Sequence, residues 1–284
     1  MNPAWILVVV IALLGLIGGI AMLVRHLMLS GSSSGPITNG KLWKYHKPPI
    51  RHICISLPYR DDKFRDVQKA FSKEGIPVEK FVAVVGKHLV PDDYDERMMS
   101  AGFRRHLNNN PKHLGHLGAS HSHMSVWRKM IEEGCDEPVA IIEDDVIIEP
   151  GMRKVLEDRL AKLEDMEWDV LYGGMSCALD TYYKCKNNYD LPIHHDNICE
   201  VKHSIGLWYY VVNGRAAAEK MLKTTDNMQW MIDHNTSSEG LAKGTIKGFC
   251  SIPNFAHHPG TYSISAFDYT SSKSAMNYVS DTNS

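Results

Sequence analysis

The segment Ala140–Ile148 reads AIIEDDVII: two apolar, strand-like pieces enclose three consecutive carboxylates, Glu143, Asp144 and Asp145. An ordinary turn between strands would carry Gly, Pro or Asn at that point. Residues i and i+2 of an extended chain point to the same side, so Glu143 and Asp145 can converge while Asp144 faces elsewhere. Three anions held between buried pieces repel one another unless a cation offsets them. A hard divalent ion, Mg²⁺ or Mn²⁺, held by a few carboxylates and keeping positions for water and phosphate oxygens, suits that pattern. The bland alternative is a solvated acidic turn.

The flanking sequence places this triplet at the end of a strand in an α/β domain. Ile53–Leu57 is a short apolar run stopped by Pro58, and Val78–Val85 is a second strand ending at Gly86. Between them Asp61–Glu74 has helical spacing through Phe64, Val67 and Phe71 and closes at Gly75. Ser122–Glu133 is helical with a Gly134 stop, Val139–Ile142 is a buried strand, and Arg153–Leu163 is a helix. Val170–Tyr172 and Leu207–Val212 follow as strands and Arg215–Lys223 as a helix. Strands alternating with helices predict a mostly parallel sheet flanked by helices, with ligands at the carboxyl ends of the strands.

A second informative segment is LGHLGASHSHMSVW, Leu114–Trp127. Gly115 and Gly118 permit tight backbone, and Ser122 with His123 is expected to open a helix whose N-terminus can hold an anion. His113, His116, His121 and His123 lack the HExxH arrangement, which argues against a zinc hydrolase.

Outside this region the N-terminus is decisive for organisation. Trp5–Val24 is an uncharged apolar run of 20 residues, long enough for a helix to cross a hydrocarbon core of about 30 Å. It lacks a basic n-region, so it reads as a single-pass anchor (1–29) rather than a cleaved signal, and its Gly15/Gly19 pair allows a homodimer. Ser30–Gly40 opens a flexible stem (30–50), residues 51–269 form the globular domain, and 270–284 is a Ser-rich tail. Arg25 and the lysines behind it argue for a cytoplasm-facing domain, but long C-terminal domains translocate largely regardless of charge. Apolar residues at 44% and charged residues at 23% exclude disorder and coiled coil, and a net charge of −2 without a basic block excludes bulk nucleic-acid binding. The six cysteines contain no CxxC pair; Cys177, Cys185 and Cys199 can pair in an oxidising lumen or stay reduced.

Taken in order, Gly115-x-x-Gly118, Ser122-His123, Trp127 and a strand ending in Glu-Asp-Asp resemble glycosyltransferase family 25, which includes collagen β-galactosyltransferases and bacterial lipopolysaccharide glycosyltransferases. ICISLPYRDDKFR (Ile53–Arg65), FVAVVGK (Phe81–Lys87), WDVLYGG (Trp168–Gly174) and LWYYVVNGRAAAEKML (Leu207–Leu222) agree with its strands, and MIDH (Met231–His234) sits where the family carries an aspartate. Ala119 replaces the family's usual Cys and Ser56 its usual Asn. The resemblance implies a GT-A-like fold, a UDP-sugar donor, Mn²⁺ or Mg²⁺, and inversion at the anomeric carbon. It implies Glu143 and Asp145 as metal ligands with His257 or His258 as a late addition, His257 taken first. It further implies donor contacts from Leu57, Arg60, Ser122, His123 and Asp144, and Asp233 as general base. The expected function is a membrane-anchored transferase moving a hexose, galactose first, to a glycan, protein or lipid-linked acceptor, facing the ER/Golgi lumen. A metal-dependent phosphoesterase and a non-catalytic nucleotide-sugar-binding protein are the competing readings. Asn235-Thr236-Ser237 is the only Asn-x-Ser/Thr sequon.

Overall fold

Six strand directions out of eight agree in the central sheet, whose order is β2-β1-β3-β8-β5-β9-β7-β6. The computed structural model describes residues 50–176, 193–195 and 197–259. The strands are β1 (Arg51–Ser56), β2 (Glu79–Val82), β3 (Val139–Glu143), β5 (Val170–Ser176), β6 (Ile193–His195), β7 (Ile198–Val201), β8 (Ile205–Val212) and β9 (Gly248–Ser251). β1 pairs in parallel with β2 and β3, and β5 with β9. β8 runs against both its neighbours, and β7 runs against β9 and β6. The sheet is therefore mixed, with β7 and β8 as the reversed strands. A separate two-stranded ribbon pairs β4 (Ile147–Ile148) with β10 (Ala256–His257).

Helices cover both faces because the strands alternate. Ile53, Ile55, Val139, Ile141, Tyr210 and Val212 point to one face. There they pack against α2 (Ala101–Asn109), α3 (Leu114–Glu132) and α5 (Gly214–Lys223). Cys54, Ala140, Ile142, Tyr209 and Val211 point to the other face, beneath α1 (Asp61–Lys73) and α4 (Met152–Leu163). The expected helices and strands are present, several with extended limits. β2 stops at Val82, three residues short of the expected Val85. α2 was not anticipated, because only Phe103 and Leu107 give it an apolar spacing; its readable signal is Ser100, whose Oγ accepts from the Phe103 amide at 3.2 Å.

The larger correction concerns α3. It opens at Leu114, not at Ser122, so Gly115 and Gly118 lie inside the helix. Gly118 is there for contact: a Cβ would sit 2.6 Å from the Gly86 amide nitrogen and 2.7 Å from the Val84 carbonyl. Gly118 thus serves helix-to-loop packing rather than loop flexibility. The predicted membrane span, stem and tail lie outside the described residues, and among those described no helix is long and apolar enough to cross a membrane.

Candidate active site

A cleft of about 450 Å³ opens at the carboxyl ends of β1 and β3. Leu57, Tyr59 and Arg60 from the loop after β1 form one side, and Val84–Lys87 form the back. The opposite side is the first two turns of α3, Leu114 to Ala119, and Glu143, Asp144 and Asp145 form the floor. The end of α3 that faces the cleft is the true N-terminus at Leu114–His116, so the anion-favouring dipole end expected at Ser122 lies two turns earlier. Ser122 still borders the cleft but spends its hydroxyl on the protein. Its Oγ accepts from the Val84 amide at 2.8 Å and donates to the Gly118 carbonyl at 2.7 Å, which ties the cleft's back wall to α3.

The three carboxylates have different surroundings. Arg60 Nη1 lies 3.2 Å from Asp144 Oδ1. Burial pushes the Asp144 carboxyl above its usual range, Asp145 and Glu143 add to the rise, and Ser56 and Arg60 oppose it. Burial would also raise Glu143, but the hydrogen bond from His123, helped by His258 and His116, brings it below its usual range. That hydrogen bond is oriented by a buried relay. Trp127 Nε1 can only donate, and it donates to Tyr210 Oη at 2.9 Å. The Tyr210 hydroxyl proton is then left for His123 Nδ1 at 2.9 Å, so His123 presents Nε2–H to Glu143 Oε1 at 3.2 Å. Burial holds the Tyr210 phenol well above its usual pKa, so its hydroxyl keeps its proton.

His258, not His257, joins the carboxylates. Its Nε2 lies 3.2 Å from Asp145 Oδ2, and ligand atoms of Glu143, Asp145 and His258 all fall within 4.8 Å of one another. His257 turns to Glu149 instead, with 2.9 Å between Nε2 and Oε1. His257 is the last residue of β10 and His258 the first beyond it, and the two side chains part to different partners. β10 reaches the site because Gly173 and Gly174 leave room: a Cβ on Gly174 would sit 2.1 Å from the Ala256 carbonyl oxygen, and one on Gly173 2.4 Å from the Phe255 ring. The glycines of WDVLYGG carried this signal. Asp144 Oδ2 and Asp145 Oδ1 are buried carboxylate oxygens without a hydrogen-bond partner among the described residues, which is the condition a bound cation relieves. The donor set of two carboxylates and an imidazole fits Mn²⁺ or Mg²⁺.

Asp233 stands apart from this cleft, in α6 (Ile232–Asn235). Its Oδ2 accepts from the Gly206 amide at 3.1 Å and its Oδ1 from the His234 amide at 2.9 Å. Gly206 is the second residue of β8, which runs antiparallel to β3, so Asp233 sits at the same end of the sheet as the carboxylate triplet. Asn235, the sequon asparagine, is buried and clamps Trp230, accepting from its amide and donating to its carbonyl, both at 3.3 Å. In the folded chain its side-chain amide is committed to the backbone.

The family description "Glycosyltransferase family 25 (LPS biosynthesis protein)" matches residues 50–236, well over half the chain. The chain belongs to glycosyltransferase family 25. Among family 25 relatives, a glycosyltransferase 25 family member of Anopheles gambiae is 31% identical over 132 residues, 45% of this chain and 22% of the relative. A Drosophila melanogaster member is 24% identical over 221 residues, 72% of this chain and 34% of the relative. Human procollagen galactosyltransferase 2 is 27% identical over 126 residues, 43% of this chain and 20% of the relative. The chain therefore aligns with about a fifth to a third of the length of these relatives. The family 25 match covers Glu143–Asp145, Asp233 and the relay residues, and ends before His258.

Proposed function

We propose that this family 25 chain is a metal-dependent, inverting hexosyltransferase of GT-A type that moves a sugar, galactose first, from a UDP-sugar to an acceptor hydroxyl. The observation that carries the reading is the carboxylate floor: two buried carboxylate oxygens lack partners, beside a cleft with a helix N-terminus and the cations Arg60, Lys87 and Lys112. Glu143, Asp145 and His258 would hold the ion, and Arg60 would hold Asp144 in place toward the nucleotide. When bound, the metal supplies positive charge against the nucleoside diphosphate as the sugar–phosphate bond breaks. Leu57 and the Val84–Val85 backbone exclude water from one side of the donor. The relay through Trp127, Tyr210 and His123 keeps Glu143 ionised and aimed.

Inversion by one displacement needs a base across the anomeric carbon from the leaving group. The sheet order supports this reading: the cleft lies at the ends of β1 and β3, and Asp233 lies beyond them, bonded to β8. Asp233 is fixed by two amide donors and is the proposed base. The names of the procollagen galactosyltransferase relatives favour galactose as the sugar. Cys199 is disulfide-bonded, which supports an oxidising, lumenal location for a single-pass protein anchored through Trp5–Val24. Protease digestion of sealed microsomes without detergent would overturn that orientation. The activity itself is tested by screening UDP-sugars for Mn²⁺-dependent UDP release by the full chain. Release from UDP-galactose is expected; cleavage of simple phosphodiesters with no UDP-sugar turnover would replace the reading with a phosphoesterase.

A further inference from the structure

Beside the cleft, a series of imidazole and indole rings forms an unbroken strip. His116 lines the cleft mouth, and its ring lies 5.7 Å from that of His113. His113 stands 4.9 Å from His106, with 2.7 Å between His106 Nε2 and His113 Nδ1. His106 stands 4.8 Å from Trp230, and Trp230 stands 6.4 Å from His234, the neighbour of Asp233. The strip thus leads from the donor cleft to the proposed base.

Trp230 is 37% exposed, yet its backbone is held rigidly. Asn235 clamps it on both its amide and its carbonyl, and Ser120 Oγ in α3 accepts from the Ile232 amide at 3.3 Å. The same helix that walls the cleft therefore positions the Trp230–Asp233 segment. Phe103 and His106 support the indole from α2, which is set in place where Met99 bridges to Met228. A large aromatic ring fixed in position and left open to solvent forgoes the stabilisation of burial, and such a ring is ready to be covered by a ligand at little ordering cost.

We infer that this strip is the acceptor subsite and takes a sugar, with the C–H face of a pyranose ring against Trp230. The inference rests on the transferase reading above and names its acceptor class as a glycan. A pyranose offers one apolar face for the indole and an edge of hydroxyls for imidazoles, which both donate and accept. Arg60, Lys87 and Lys112, the cations that would draw a nucleotide, line the cleft, whereas His106, His113, Trp230 and His234 lie outside its lining, so the Trp230 end of the strip does not duplicate the donor site.

The test labels the full chain with 5-fluorotryptophan, whose six resonances include Trp230, assigned by its loss in Trp230→Phe. Methyl β-galactoside, methyl β-glucoside and methyl α-mannoside are then titrated in the presence of UDP and Mn²⁺. At least one is expected to move the Trp230 resonance, whereas UDP alone is not. A resonance unmoved by all three sugars, or moved by UDP, overturns the subsite. In turnover with the sugar that binds, Trp230→Ala should raise the acceptor KM about tenfold and leave the donor KM in place, with Trp230→Phe restoring part of the loss. An acceptor KM unchanged in Trp230→Ala also overturns it. The two readings fail separately. A shifted Trp230 in a chain that transfers nothing would sink the transferase and leave the subsite, while transfer with an unmoved Trp230 would do the reverse.

Discussion

The two sides of this site are built in opposite ways. The donor side is made of residues that lie where their own strands end: Leu57 and Arg60 just past β1, Val84–Lys87 past β2, and Glu143–Asp145 at the end of β3. Each is placed by its neighbours in sequence. The far side is assembled from distant segments brought back over the sheet: Gly206 near the start of a reversed strand, Asp233 and Trp230 around a short helix, and His258 just past a ribbon strand that crosses Gly173 and Gly174. Charge also divides the two sides. The donor side concentrates three carboxylates, two of them with an unpartnered oxygen, whereas Asp233 has both oxygens engaged by backbone amides. A donor common to many enzymes can be held by a strand-end motif, but the acceptor side depends on how remote pieces pack.

The sharpest way to break this division is Asp145→Asn, which removes one ligand and one charge from the donor side. Transfer should be abolished and Mn²⁺-dependent UDP binding lost in calorimetry, with the circular dichroism spectrum unchanged. Near-normal activity would show that the carboxylate floor is not the metal centre. Asp233→Asn probes the far side. Turnover should fall about 10²- to 10⁴-fold while UDP-sugar affinity stays the same, because a base acts on the acceptor. A loss confined to donor affinity would move Asp233 to the donor side.

Gly174→Val tests whether the far side depends on the ribbon crossing. Its side chain would meet the Ala256 carbonyl and the Trp208 indole nitrogen. Displacement of Ala256–His258 should cost about 1–3 kcal/mol, seen as a fall of several degrees in Tm, together with weaker Mn²⁺ binding. An unchanged Tm would mean that the ribbon does not need this close approach. The smallest effect is expected from Asp144→Asn. Asp144 is raised by burial, so the folded chain takes up its proton more readily than the unfolded chain. Wild-type stability therefore falls as pH rises from the unfolded carboxyl value through the folded one. The asparagine variant escapes that loss. It should melt slightly higher than wild type at neutral pH, match it in acid, and bind UDP-sugar more weakly. A lower melting temperature at neutral pH would show that the Arg60 pairing outweighs burial.

How much was legible in the sequence follows the same division. The alternating strands, the helix over Val67 and Phe71, and the apolar flanks of Glu143–Asp145 report local periodicity, which short-range sterics and burial determine. Glycine was read correctly where it ends a helix, as at Gly75 and Gly134, both with positive φ. It was misread where it serves contact. Gly115 and Gly118 looked like a loop, yet α3 runs through both, and the close approach of the Val84–Gly86 backbone explains the glycine at 118.

By itself, the sequence determined the α/β character, the strand-end carboxylates and the helix stops, because each depends on residues a few positions apart. Tertiary structure decided the rest. It reversed β7 and β8, chose His258 over His257, buried the sequon asparagine as a clamp for Trp230, and drew Trp127, Tyr210, His123 and Glu143 into one relay. Those outcomes join residues far apart in the chain, and nothing in the local pattern of either partner encodes which distant group it will meet. Close packing of the folded interior selects them, since a buried donor or acceptor left without its partner costs more than the contact itself contributes.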